Sequence, residues 1–204
     1  MSILLIRHGE TALNAARVMQ PADTPLSAVG LRQADALATR LADFGLAALV
    51  ASDLPRAWHT ALAVATTTGL TPMAEPRLHE RNFGALRGRP YDTLGFDPLA
   101  MREAPPGGES AAAFEQRAGE VFDALVALRA GLPGPLAVVT HGLLIRTMLA
   151  TRTRLPEGVA LPHALANTSI TVVSAMPPHT VSVLDCTRHL DDGLEGAHAG
   201  LSGG

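Results

Sequence analysis

The sequence contains no lysine: all 16 of its basic residues are arginine. This excludes a Walker-A phosphate loop and a Schiff-base lysine at once. Any cationic clamp in the chain is a guanidinium, whose planar fork suits bidentate recognition of phosphate. Cysteine is almost as scarce. The single Cys186 has no partner for an internal disulfide or for a Cys-x-x-Cys metal site. Aromatic residues make up only 3% of the chain, and a formal net charge of −3 gives no basic footprint for nucleic acid. No apolar run approaches the length that spans a bilayer. The apolar opening is too short, and lacks the basic start, for a signal peptide. The expected compartment is the cytoplasm, with no nucleic-acid or membrane partner.

What is present is a soluble, alanine- and leucine-rich composition, 47% hydrophobic and 17% charged. At 204 residues the chain is long enough for one well-cored domain with, at most, a small subdomain. Residues 2–7 are continuously apolar, the pattern of a strand covered on both faces. Ser27 reads as the N-cap of a helix reaching Phe44, with Leu31, Ala34, Leu37, Ala38 and Leu41 at helical spacing. A short strand over 46–51 follows, then a helix capped by Ser52 or Asp53, with Pro55 in its first turn and its end by Gly69. Residues 71–108, rich in proline and glycine, read as an irregular lid or insert.

A long helix is expected from about Ser110 to Ala130, a third buried strand over 136–140, and a helix over 143–151. Residues 168–175 and 179–185 read as an edge hairpin that could support a homodimer. The pattern predicts an α/β fold, a three-layer α/β/α sandwich with a mostly parallel central sheet. The expected division is a single domain over 1–188 and a flexible tail over 189–204.

Two buried strands end on the same residue pair: Arg7-His8-Gly9 after the first and Thr140-His141-Gly142 after the third. Loops at the carboxyl ends of strands are where open α/β sheets bind ligands. Two imidazoles are thus offered to one crevice, and a glycine after each leaves the backbone free to approach an anion. Phosphoryl transfer needs a nucleophile, cations for the non-bridging oxygens and a proton donor for the leaving oxygen. His8 can attack phosphorus as neutral imidazole. Arg7 and Arg56 can grip the oxygens, and His141, if protonated by the dianion, adds a third positive donor. That much fixed charge requires no metal or cofactor.

The motif Arg7-His8-Gly9-Glu10-Thr11 with Asn14 resembles the signature of the histidine phosphatase superfamily, the phosphoglycerate-mutase-like proteins. Similar blocks follow in order: Asp23-Thr24-Pro25-Leu26-Ser27, Ser52-Asp53-Leu54-Pro55-Arg56-Ala57, Glu80-Arg81-Asn82-Phe83-Gly84, Pro106-Gly107-Gly108-Glu109-Ser110, Thr140-His141-Gly142 and Asn167-Thr168-Ser169. The resemblance implies a phosphohistidine on His8 and a phosphate pocket of Arg7, Arg56 and His141. It further implies that Asn14 and Gly142 bind substrate and that Glu80 is the proton donor. Residues alone would not select Glu80 over Glu109 or Asp53.

The cofactor-dependent mutases of the family carry a longer insert with paired arginines for the substrate's second anion. Here residues 89–106 contain only Arg89 and Arg102, while Arg81 and Arg87 leave room for an anionic substrate. The expected activity is therefore hydrolysis of a small phosphorylated metabolite, with a mutase as the alternative. A metal hydrolase on His8, Glu10 and His141, and a non-catalytic phosphate-binding module, are the readings from other classes. His163, His179, His189 and His198 read as surface residues, and Trp58 as packing.

Overall fold

Strand β1 (Ser2–Arg7) runs through the middle of a six-stranded sheet, and every residue after Ser2 is buried. Its side chains alternate between two cores, as the two-residue period of a strand requires. Ile3 and Leu5 pack with Phe122, Leu136, Val138 and Met148 on one face. Leu4 and Ile6 pack with Leu37, Leu41, Leu49 and Val64 on the other. Full burial of each such side chain contributes about 1.5–3 kcal/mol, which is why the strand is continuously apolar. The structure, a computed structural model, describes residues 1–190. The tail expected over 189–204 therefore lies almost wholly outside the described residues, as does His198.

The elements follow in the order β1, α1 (Ala12–Ala15), α2 (Ala28–Leu41), β2 (Ala48–Ala51), α3 (Pro55–Thr68), β3 (Met73–Ala74), α4 (Ala111–Ala130), β4 (Leu136–Thr140), α5 (Gly142–Arg152), β5 (Ile170–Ser174) and β6 (Val181–Cys186). Sheet order is β3-β2-β4-β1-β5-β6. The first four in that list are parallel, and β5 and β6 are antiparallel, with β6 on the edge. Helices α2 and α3 cover one face and α4 and α5 the other, giving the three-layer α/β/α sandwich.

Local chemistry sets the element ends. Ser27 Oγ accepts the Gly30 N–H and caps α2, an interaction that typically contributes about 1 kcal/mol. Helix α2 stops at Leu41, short of the expected Phe44. Gly69, in the left-handed region at φ 69°, closes α3. The cap of α3 departs from expectation: its N-cap is Leu54, with no side-chain bond. Ser52 instead turns toward the sheet's carboxyl end.

Residues 75–108 contain three short 3-10 turns, Pro76–Leu78, Gly84–Leu86 and Tyr91–Thr93. Their Phe83, Leu86, Tyr91 and Leu94 form a small apolar cluster with Met19. The two-residue β3 at the start of this region was not foreseen, since a strand so short has no readable period. Among the described residues no helix is long and apolar enough to cross a membrane.

Candidate active site

Strands β1 and β4 are neighbours in parallel register, with Arg7 opposite Thr140. His8 continues the ladder, its N–H donating to Thr140 O at 2.9 Å. The two histidines that follow the strands are thereby held side by side, ring centroids 5.1 Å apart and both fully buried.

The ring of His8 is oriented by its own loop. Nδ1 lies 2.7 Å from Gly9 O. A carbonyl oxygen only accepts, so Nδ1 carries the proton and Nε2 keeps its lone pair. Nε2 is buried with no hydrogen-bond partner among the described residues. Burial first, then the charges of Arg56 and Arg7, hold His8 well below the ordinary imidazole pKa. It is a neutral imidazole with an uncommitted nitrogen.

Packing alone requires a glycine at position 9. A Cβ there would lie 2.6 Å from the carbonyl oxygen of Gly30, and a Cβ on Gly30 would strike the backbone of Glu10. The loop after β1 and the start of α2 touch backbone to backbone. Glu10 itself is turned away, its Oε1 accepting the Ser27 hydroxyl at 2.8 Å, so a metal set of His8, Glu10 and His141 is not assembled. Among the described residues no group of three or more His, Cys, Asp or Glu is placed to hold a metal ion.

Cations close on the histidines from both sides. Arg7 ends β1, and its Nη1 donates to Leu165 O. Arg56 stands in the first turn of α3, Nη1 reaching Pro21 O and Ala22 O at 3.4 Å. Burial lowers the pKa of both, that of Arg56 to about 10, and a guanidinium keeps its proton in proteins. Each guanidinium has a buried Nε without a partner.

Asn14 does two things. In the capping box of α1 its N–H donates to Thr11 Oγ1 at 3.0 Å, and its Oδ1 accepts the Thr11 N–H at 3.3 Å. That leaves its Nδ2 buried and unpartnered. Gln20 was missed by the sequence reading. Its Oε1 accepts the Thr11 hydroxyl at 2.7 Å, while its Nε2 is buried without a partner. Only the long-range contact with Thr11 gives it this place.

Glu80 is also buried. Its Oε1 accepts the Arg81 N–H and its Oε2 the Leu143 N–H, both at 3.0 Å. Thr140 Oγ1 donates to Leu78 O at 2.7 Å, pinning this segment to the end of β4. Burial raises the Glu80 carboxyl to a pKa of about 7, against the opposing pull of the two N–H groups and of Arg56 and Arg7. Gly142, buried, opens α5 beside these groups, with His141 as the N-cap.

Glu80 faces a cleft of about 720 Å³ lined also by Ala22, Leu54, His79, Arg87 and Arg117. His79 does face this cleft and pairs with Asp53. Arg81 does not serve the cleft as expected: its Nε donates to Glu109 O, and its guanidinium lies 5.2 Å from the Phe83 ring. Arg117 is tied to Glu109 at 2.8 Å. Arg89 and Arg102 are exposed and absent from the cleft wall. Arg87 alone lines it with no ion pair or hydrogen bond to its guanidinium among the described residues. Two outlying histidines are also corrected. His179 packs against Phe122, centroids 5.3 Å apart, and His189 is half-buried beside Arg40 and Thr168.

A family model for the histidine phosphatase superfamily (branch 1) matches residues 3–184. The chain belongs to that superfamily. It is 36% identical over 183 residues to a probable phosphoglycerate mutase GpmB of Yersinia pestis (strain Pestoides F), covering 85% of this chain and 84% of the relative. Among solved structures it resembles a mycobacterial glucosyl-3-phosphoglycerate phosphatase (TM-score 0.76, 29% identity, 91% of this chain and 99% of that one). It also resembles the alpha-ribazole phosphatase of Shigella flexneri (TM-score 0.78, 27% identity, 92% and 97%). This member of the superfamily thus resembles both a probable phosphoglycerate mutase and phosphatases.

Proposed function

We propose that this histidine phosphatase hydrolyses small phosphomonoesters through a phosphohistidine on His8, without a metal. The observation that carries the reading is that six of the seven buried side-chain polar atoms without a partner among the described residues, all but the Tyr91 hydroxyl, are nitrogens: His8 Nε2, Arg7 Nε, Arg56 Nε, Asn14 Nδ2, Gln20 Nε2 and His141 Nδ1. Buried polar groups are normally satisfied. One nucleophilic nitrogen among four N–H donors of the arginine, asparagine and glutamine side chains is what a tetrahedral dianion would satisfy.

In the first step the Nε2 lone pair attacks phosphorus and the ester P–O bond breaks. Glu80, largely protonated up to its pKa of about 7, passes its proton to the departing oxygen. In the second step the resulting Glu80 carboxylate takes a proton from water as its oxygen attacks phosphorus. The P–N bond breaks, phosphate leaves and Nε2 recovers its lone pair. Arg7 and Arg56 balance the charge of both transition states.

Hydrolysis is favoured over isomerisation by the cleft wall. Retaining a phosphorylated intermediate for re-attack needs clamps on its second anion, and Arg87 is the one unpaired guanidinium lining the cleft. The likeness to the probable phosphoglycerate mutase supports the second reading.

The test is phosphate release from a panel of phosphomonoesters in EDTA by wild type and His8→Ala, with conversion of 3- to 2-phosphoglycerate followed alongside. Release that vanishes with His8 is expected. Isomerisation without release would make the protein a mutase, and unchanged phosphate binding with no turnover would make it a binding module.

A further inference from the structure

The most strained backbone near the site lies outside the phosphate cradle. Thr168 is fully buried at φ 53°, and Asp185 adopts φ 49°. A β-branched residue in the left-handed region is a genuine outlier, and such strain costs about 1–3 kcal/mol unless the surroundings enforce it. The surroundings here come from β6 and the residues just after it.

The loop over 165–169 is the back wall of the nucleophile. Leu165 O receives Arg7 Nη1, and Ser169 O receives the Arg7 N–H at 3.3 Å. Asn167 Nδ2 donates to His8 O at 3.0 Å, and the Thr168 N–H donates to the same oxygen at 3.3 Å. Four contacts from one short loop thus hold the backbone of the nucleophile and the guanidinium beside it. The loop is itself gripped from the sheet edge. Asp185 Oδ1 accepts the Ala166 N–H at 2.8 Å, and the Asp185 N–H is fixed by Thr171 Oγ1 at 3.1 Å. His189 Nε2 lies 3.0 Å from Thr168 Oγ1, and its Nδ1 lies 3.1 Å from Arg40 Nη1. A bulge between β5 and β6 brings Asp185 into this position.

We propose that Asp185, seconded by His189, is a positioning residue for the reaction. By bonding Ala166 it holds the strained 165–168 loop in the shape that aims Arg7 and His8 at phosphorus. Asp185 touches no substrate; it acts through Leu165, Asn167 and Thr168. The inference rests on the reading of His8 as nucleophile.

The experiment compares wild type, Asp185→Ala, Asp185→Asn and, as a stability control, Val181→Ala, which removes a buried side chain from the other end of β6. His8→Ala is run beside them, so that failure of the nucleophile reading shows in wild type and His8→Ala alone. Each variant is read for kcat, KM, Tm and the affinities of vanadate and inorganic phosphate.

Misplacement by a fraction of an ångström to 1 Å costs about 10- to 100-fold. Asp185→Ala is expected to lose that much in kcat, with a smaller rise in KM and a larger loss of vanadate than of phosphate affinity. Asp185→Asn keeps an oxygen acceptor for Ala166 and is expected to recover to within a few-fold of wild type. Val181→Ala is expected to lower Tm and leave kcat unchanged.

An Asp185→Ala enzyme with wild-type kcat, an asparagine variant as impaired as alanine, or an equal loss in Val181→Ala would each overturn the proposal. Should Asp185→Ala not fold, His189→Ala must show the same split at smaller amplitude. Should wild type prove inactive, the ratio of vanadate to phosphate affinity across the series decides the question.

Discussion

Ser52 Oγ lies 2.9 Å from Nε2 of His141 and at the same time accepts the backbone N–H of Leu54 at 3.3 Å. Ser52 is fully buried and no other acceptor for its hydroxyl lies within reach among the described residues, so the hydroxyl gives its proton to Nε2. Nδ1, the unpartnered nitrogen, then carries hydrogen. Neutral His141 can donate to a phosphate oxygen without first being protonated. Burial, Arg56 and His8 hold its pKa well below the ordinary value, which makes this neutral donor the form available before substrate arrives. Ser52→Ala removes the bias between tautomers and is expected to weaken inorganic phosphate binding about three- to tenfold, the net worth of one hydrogen bond. Competitive inhibition by phosphate measures it; an unchanged inhibition constant would leave Ser52 as a mere loop residue.

His8→Ala should lower kcat by about 10⁴-fold or more while circular dichroism and Tm stay near wild type. The alanine leaves the ladder bond from residue 8 to Thr140 in place. Rapid quench of wild type in alkaline detergent with a labelled substrate should trap a base-stable, acid-labile phosphoprotein that the variant never forms.

Glu80 gives a pH dependence with a definite sign. The acid form is needed for the first step, so kcat/KM for alkyl phosphates should fall as pH rises through about 7, the free-enzyme value. Glu80→Gln should slow alkyl phosphates far more than p-nitrophenyl phosphate, whose leaving group needs little protonation. Equal slowing of both esters would remove Glu80 from the general-acid role.

The same carboxyl affects stability. Its folded pKa is raised, so the native state binds the proton more tightly than the unfolded chain. Stability linked to Glu80 is full at low pH and is lost as pH climbs from the unfolded value near 4.5 through about 7. The loss is on the order of 3 kcal/mol for a shift of this size. Glu80→Gln should therefore raise Tm relative to wild type more at pH 8 than at pH 5. Thermal melts at the two pH values decide it.

Tyr91 packs with Met19, Phe83 and Leu86, and its hydroxyl is buried without a partner among the described residues. Removing an unsatisfied hydroxyl relieves its desolvation cost. Tyr91→Phe should hold Tm or raise it, by about 1 kcal/mol at most, in denaturant or thermal unfolding. A clear loss of stability would mean that the hydroxyl has a partner in solution.

The strand-loop ends at Arg7-His8 and Thr140-His141 were legible because an apolar run that stops at a polar pair is a local pattern. Ser27 as a cap was legible for the same reason. Glu80 was reached only through family likeness, since what distinguishes it from Glu109 is burial against Leu143, 63 residues away. Ser52 and Gln20 were invisible as site residues because their partners, His141 and Thr11, meet them only in the folded chain. Asp185 looked like one more polar residue on an edge hairpin. Its bond to Ala166 depends on a bulge that no periodicity announces. Arg81 was misread because a guanidinium next to a buried carboxyl is as able to brace a loop as to meet a ligand.

The pairing of β1 with β4 has an engineering consequence. The spacing between His8 and His141 is set by a backbone ladder at the centre of the sheet, and Glu80 is moored to the end of the same ladder through Leu78 and Leu143. Residues 84–106 lie downstream of that mooring, and their Leu86, Tyr91 and Leu94 close a small apolar cluster with Met19 and Phe83 rather than with the two main cores. Transplanting the corresponding stretch from a relative should move substrate preference while leaving the rate on an activated aryl phosphate nearly where it was, so that new selectivities can arise here without renegotiating the chemistry.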